Sequence, residues 1–201
     1  MKIKIDLKIF LIIFFYVLTR NIHIFSLTFI FIFIHELGHV LSGITLGLKI
    51  KKININVLGF SIEFNNYGKE RRINKIIIDS SGPFVNLIIF IAAIFFKNAE
   101  IAYINLVIVL VNMLPIFPLD GGRIIKTILM YKKTYKETMK IVEKISKNTL
   151  IVITGISSLL ILYFKNIAFF LFIIYLWYLT YKEHKKNKII QKVFKTIENN
   201  S

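Results

Sequence analysis

His35-Glu36-Leu37-Gly38-His39 places two imidazoles four residues apart, with a carboxylate beside the first. On a helix, positions i and i+4 share a face, so both rings can ligate one Zn²⁺. Glu36 lies about 100° around from His35, where it is placed to take a proton from an attacking water, not to be a ligand. With 4 His and 8 Glu in 201 residues, roughly three accidental matches per thousand such chains are expected. The pattern is therefore read as a site.

Two histidines leave a catalytic zinc one protein ligand short. The chain has no cysteine, so any further ligand is His, Asp or Glu. His23 and His184 are read as solvated surface residues. Asp79 and Asp120 are the carboxylates within apolar runs, and Glu100 sits at the opposite end of its run. Depth alone does not choose between the two aspartates. Asp120 has the better context, Asn112-Met113-Leu114-Pro115-Ile116-Phe117-Pro118-Leu119-Asp120-Gly121-Gly122. Two prolines and two glycines break the helix and let the backbone bend the carboxylate toward a partner helix. Asp-Gly-Gly is also a good turn sequence, which is the plainer reading of the same residues.

The elements that must position these groups are apolar. Hydrophobic residues make up 56%, mean hydropathy is +0.67, and the net charge is +16. Apolar runs at 7–18, 24–48, 76–96, 101–119, 149–164 and 167–181 are read as six spans. The first is the shortest. It follows a basic start but precedes no small-residue cleavage site, so it is read as a retained anchor. Of the 27 basic residues, 24 fall before or at the very start of span one, in alternate loops and after span six. That is the positive-inside pattern with both termini cytoplasmic. Charge parcelled among loops also argues against a nucleic-acid partner.

The HELGH segment thus lies inside a span. Each charged group there costs on the order of 2.5–3.5 kcal/mol at mid-bilayer, which marks a functional site above a merely adhesive cluster. Gly43 and Gly47 read as a small-xxx-small helix-packing stripe. After span two, 51–57 and 60–64 alternate polar and apolar around Gly59, the pattern of a hairpin at the membrane surface. Residues 126–147 read as one basic amphipathic helix on the anionic leaflet. The fold class is an all-α polytopic membrane protein of about six transmembrane helices with a small membrane-surface β-hairpin after the second. Residues 1–181 form the membrane domain and 182–201 a short basic tail.

HELGH in one span and NMLPIFPLDGG in a later one together resemble the site-2 protease family of intramembrane zinc metalloproteases. Ser81-Gly82-Pro83-Phe84-Val85-Asn86 resembles that family's GPxxN segment. Six spans and the hairpin resemble most the branch typified by stage IV sporulation protein FB. The resemblance covers about residues 8–181. It implies that His35, His39 and Asp120 hold zinc and that Glu36 is the general base. It places Asn112 at a substrate-contacting or oxyanion-stabilising position. Asn86, Phe60 and Pro118 join Asn112 as expected cleft residues, with Ser80 and Ser81 as further candidates for its polar lining. It implies a bacterial cell membrane, including a forespore-surrounding one. The implied substrate is a membrane-associated protein such as a pro-sigma factor, with membrane-protein inhibitors or regulators as partners. Many members of that branch carry a cystathionine-β-synthase-type domain after the last span, where this chain has about 20 basic residues. Nucleotide sensing is therefore not implied, and no PDZ sequence is present. The rival reading is an intramembrane metal transporter or metal-binding scaffold, which would be expected to show structural repeats and polar residues along a path through the membrane.

Overall fold

The computed structural model describes the backbone of residues 2–5, 22–56, 59–164 and 168–199, and the side chains of 23–52, 63–159 and 172–190. It divides into two compact units, Met1–Asn112 and Met113–Ser201.

In the first unit, β1 (Lys2–Ile5) precedes α1 (Ile22–Thr45), β2 (Ile50–Asn56) and β3 (Gly59–Phe64). A 3-10 turn at Tyr67–Lys69 leads to α2 (Arg72–Phe95) and α3 (Ala99–Asn112). α1 and α2 have 24 residues each, about 36 Å at 1.5 Å per residue, enough to cross a bilayer core of about 30 Å. Among the described residues these are the two helices long and apolar enough to do so. The first apolar run, 7–18, lies outside the described residues.

The expected hairpin is present and is part of a larger sheet. β2 pairs antiparallel with β3, and β1 pairs parallel with β2. Lys2–Ile5 carries only four residues, too few for alternation to announce a strand. Leu48, Phe64 and Ile78 form the apolar contact between the end of α1, the sheet and α2. Phe31, Ile104 and Ile108 join α1 to α3.

The glycines after HELGH do not form a helix-helix stripe. Gly43 lies under the Phe64 ring, and a Cβ there would stand 2.6 Å from one ring carbon. Gly47 has φ of 83° and ends α1. Its N–H bonds the Ile44 carbonyl at 2.9 Å and Leu48 N–H bonds the Gly43 carbonyl at 2.9 Å. That pair of bonds is a Schellman cap, which needs a residue tolerant of the left-handed conformation.

The fourth apolar run is not one helix. α3 stops at Asn112 and the chain runs irregularly to Leu119. Pro115 and Pro118 donate no N–H, and each keeps the residue before it out of the helical region. With 14 residues, α3 is about 21 Å long and does not span by itself.

The second unit holds α4 (Asp120–Leu129), α5 (Tyr135–Phe164) and α6 (Ala168–Asn199). The single amphipathic helix expected over 126–147 is divided between α4 and α5. The divider is a capping box: Thr134 Oγ1 accepts from Glu137 N–H, while Glu137 Oε2 accepts from Thr134 N–H at 3.1 Å. Donation from Thr134, first its backbone N–H and then its hydroxyl, holds the Glu137 carboxyl below the usual carboxylate range. Runs five and six are the apolar parts of α5 and α6, and the basic segment after Tyr181 continues α6 as helix. Ile116, Leu119, Leu150 and Leu176 form the core of this unit.

Candidate active site

His35 and His39 lie on one face of α1, buried, with ring Nε2 atoms 3.2 Å apart. Each ring is fixed from behind. His35 Nδ1 meets Asn86 Oδ1 at 2.6 Å. The Asn86 amide group donates to Asn105 Oδ1 at 2.7 Å and reaches the Phe31 carbonyl at 3.4 Å. Asn105 in turn donates to the Ile101 carbonyl at 2.9 Å. His39 Nδ1 meets the Ile78 carbonyl at 2.6 Å. A carbonyl only accepts, so His39 carries its proton on Nδ1. Asn86 has its donors on two acceptors, so its oxygen faces His35 and sets the same tautomer there.

Both Nε2 atoms therefore present lone pairs to one another at 3.2 Å. Two nitrogens bound about 2.05 Å from a tetrahedral zinc would stand about 3.3 Å apart. The pair has the separation and tautomers of a chelate, and without a cation its lone pairs repel. Gly82 keeps the space in front of it open. A Cβ at Gly82 would stand 2.7 Å from His35 Nε2 and closer still to His39 Nε2. The donor set thus fits zinc.

α2 supplies this support through a stretch that carries Pro83 inside the helix. Pro83 lacks the N–H that would bond the Asp79 carbonyl, and its ring crowds that turn. The adjacent Ile78 carbonyl accepts both His39 Nδ1 and Ser81 Oγ, the latter at 2.7 Å. Ser81 Oγ also meets Ser42 Oγ at 2.8 Å across α1 and α2. Gly38 allows that approach, since a Cβ there would stand 2.9 Å from the Ser81 carbonyl.

Glu36, the next residue on α1, is half-buried. Asp79 is buried, and both its carboxylate oxygens accept from Tyr67 OH, at 2.7 and 2.8 Å. It tethers the connection between β3 and α2, which accounts for a buried carboxylate without ligation. Asn86, expected as a cleft residue, is 0% exposed and holds His35. Asn112 closes α3, half-buried, with Nδ2 donating to the Ile108 carbonyl at 3.0 Å. Phe60 belongs to β3, and its side chain lies outside the described residues. His23 is exposed and meets Glu100 at 3.3 Å.

In the second unit, Asp120 is buried and opens α4, where the helix N-terminus favours negative charge. The two glycines after it serve close packing. A Cβ at Gly121 would collide with the Met113 carbonyl, and one at Gly122 would stand 2.5 Å from the Ile116 carbonyl. The 113–117 segment therefore lies directly over the first turn of α4. Pro118 is half-buried in this loop. His184, expected on the surface, is instead partly buried and meets Glu143 at 2.6 Å. It lines a cavity of about 240 Å³ with Phe117, Ser146 and Thr180.

Sequence reasoning missed Asn105, the Ile78 carbonyl, Ser146 and Thr180. An amide alone in the apolar run 101–111 was a usable signal for Asn105. A backbone carbonyl has none.

Comparison with known proteins agrees with this geometry. The family described as Peptidase M50B-like matches residues 7–119, more than half of the chain. The chain belongs to this peptidase family. Residues 98–154 also match the Peptidase family M50 pattern. A zinc metalloprotease of Methanocaldococcus jannaschii is 31% identical over 137 residues, 62% of this chain and 40% of that protein. Stage IV sporulation protein FB of Bacillus subtilis is 25% identical over 122 residues, 54% of this chain and 42% of that protein. The chain thus spans less than half the length of these curated relatives. The solved site-2 protease from M. jannaschii superposes with a TM-score of 0.69 at 26% identity, covering 90% of each chain. This M50B-like chain therefore has a site-2-protease-like fold, mostly helical with one small sheet, and is a membrane protein.

Proposed function

We propose that this chain is an intramembrane zinc endopeptidase that cleaves a membrane-associated protein near the cytoplasmic face. The observation that carries the proposal is the His35–His39 pair, its Nε2 lone pairs converging at 3.2 Å behind the space that Gly82 leaves open. His35, His39 and Asp120 would hold the metal. Asp120 is assigned by the family pattern; Asp79 has a separate role, accepting the Tyr67 hydroxyl and tethering the β3–α2 connection. When bound, zinc would polarise the scissile carbonyl and lower the pKa of a water toward about 7.

The chain's own groups do the rest. Glu36 accepts the proton of the attacking water and returns it to the leaving amine. Asn86 and the Ile78 carbonyl hold the imidazole tautomers. Asn112, Phe60 and Pro118 are proposed substrate contacts, and an extended substrate would add as a strand along β3 on the side away from β2. The distribution of 24 of 27 basic residues supports cytoplasmic termini. Likeness to stage IV sporulation protein FB supports a pro-sigma factor as substrate, with membrane-protein regulators as partners, in a bacterial or forespore-surrounding membrane.

Glu36→Gln tests this reading. It keeps the volume of the side chain and removes the base. The expected result is zinc retained and cleavage of a membrane-tethered peptide lowered by about 10²–10⁴. Unchanged cleavage would refute the assignment. Altered metal flux without any cleavage by the native chain would replace it with transport.

A further inference from the structure

Phe117 stands three residues before Asp120, in a segment where helix hydrogen bonds are absent. Its two peptide groups nevertheless have partners. Phe117 N–H donates to Ser146 Oγ on α5 at 3.0 Å, and the Phe117 carbonyl accepts from Thr180 Oγ1 on α6 at 3.4 Å. Ser146 is 0% exposed and Thr180 is buried. The Ser146 proton is committed to the Val142 carbonyl at 2.8 Å, so its lone pair is held toward Phe117. Both hydroxyls lie in the wall of the cavity that Val142, Glu143 and His184 also line. Alanine or valine there would lack the bonds to Phe117, whose irregular peptide is half-buried, and unpaired polar groups are costly away from water. The ring of Phe117 is also fixed, with Lys126 Nζ 5.0 Å from its centroid. From below, the bare faces of Gly121 and Gly122 receive the same segment.

We infer that Ser146 and Thr180 are positioning residues for the metal centre: they clamp the backbone of Phe117 and thereby set where the Asp120 carboxylate points. Neither touches the reacting atoms. The inference rests on the proposed role of Asp120 as a ligand, and the test separates the two.

Full-length chain in detergent is titrated with zinc against a chromophoric chelator, and cleavage of a membrane-tethered peptide is measured in parallel. The variants are Asp120→Asn, Ser146→Ala, Thr180→Val and the conservative Thr180→Ser. Asp120→Asn is expected to lose tight zinc binding. Ser146→Ala and Thr180→Val are each expected to weaken zinc on the order of tenfold, as loss of a ligand-supporting hydrogen bond does. They should also lower kcat with little change in KM. Thr180→Ser keeps the donor and should restore both values. If Asp120→Asn loses zinc while Ser146→Ala and Thr180→Val bind it like the native chain, the clamp is refuted, even where those variants melt earlier. If Asp120→Asn binds zinc normally, the ligand assignment fails and the clamp falls with it.

Discussion

Gly82→Ala adds one methyl group in front of the two imidazoles. Gly82 sits within α2, where alanine is the better helix former by about 1 kcal/mol, so the backbone itself accepts the change. The obstacle is in front. The new Cβ would stand 2.7 Å from His35 Nε2, whereas non-bonded heavy atoms settle at about 3.5 Å. Relief requires α1 and α2 to part by more than about 0.8 Å, because the new Cβ would stand closer still to His39 Nε2, and that movement stretches the 2.6 Å contact between His39 Nδ1 and the Ile78 carbonyl. Without relief the methyl occupies the space that a metal ion about 2.05 Å from each nitrogen would need. Either way zinc affinity should fall at least a hundredfold, about 2.7 kcal/mol. The assay is competition for zinc with a chromophoric chelator, with helix content followed by circular dichroism. Gly155→Ala is the control, because a Cβ there meets nothing within 4 Å. It should leave zinc binding unchanged. Native zinc affinity in a folded Gly82→Ala protein would refute the reading of the pocket.

Asn86→Ala should weaken zinc by about 10–100-fold by releasing His35, and Asn105→Ala, one bond further back, by less; the same chelator competition measures both, and equal affinities to native would exclude the relay. Burial pushes the His184 imidazole below its ordinary pKa, helped by Lys188 and Lys147 and opposed by Glu143. A histidine with a depressed folded pKa contributes its full stability above the unfolded value of 6.5 and loses it as pH falls through the folded value. Melting temperature should therefore drop between pH 7 and pH 5 more steeply in the native chain than in His184→Gln, and parallel curves would contradict this.

Much of the site was legible because its chemistry resides in side chains at fixed spacing. HELGH needs only the i, i+4 geometry of a helix, and α1 supplies it. The family segment around Asn86 pointed to a residue that the structure places against His35. Sequence cannot show that its amide faces the rear of His35 instead of a cleft. The break at Asn112 was written in Pro115 and Pro118, yet the apolar run continued through them, so hydropathy alone merged a helix and a loop. β1 was hidden for a different reason: four residues gain strand geometry from pairing with β2, and nothing local demands it. Gly121 and Gly122 looked like turn formers. Their role is the close approach of the 113–117 backbone just before them, which only the folded chain reveals.

The clamp on Phe117 bears on the order of synthesis. Phe117 and the hydroxyl of Thr180 are separated by 63 residues, about 3–13 s of translation at 5–20 residues per second. During that interval His35, Glu36, His39 and Asp120 all exist in the nascent chain, but Thr180, which bonds the Phe117 carbonyl, does not. Under the proposed function, full activity would require α6 to be in place, so a nascent chain that has not yet made α6 would be a poor protease beside other newly made membrane proteins.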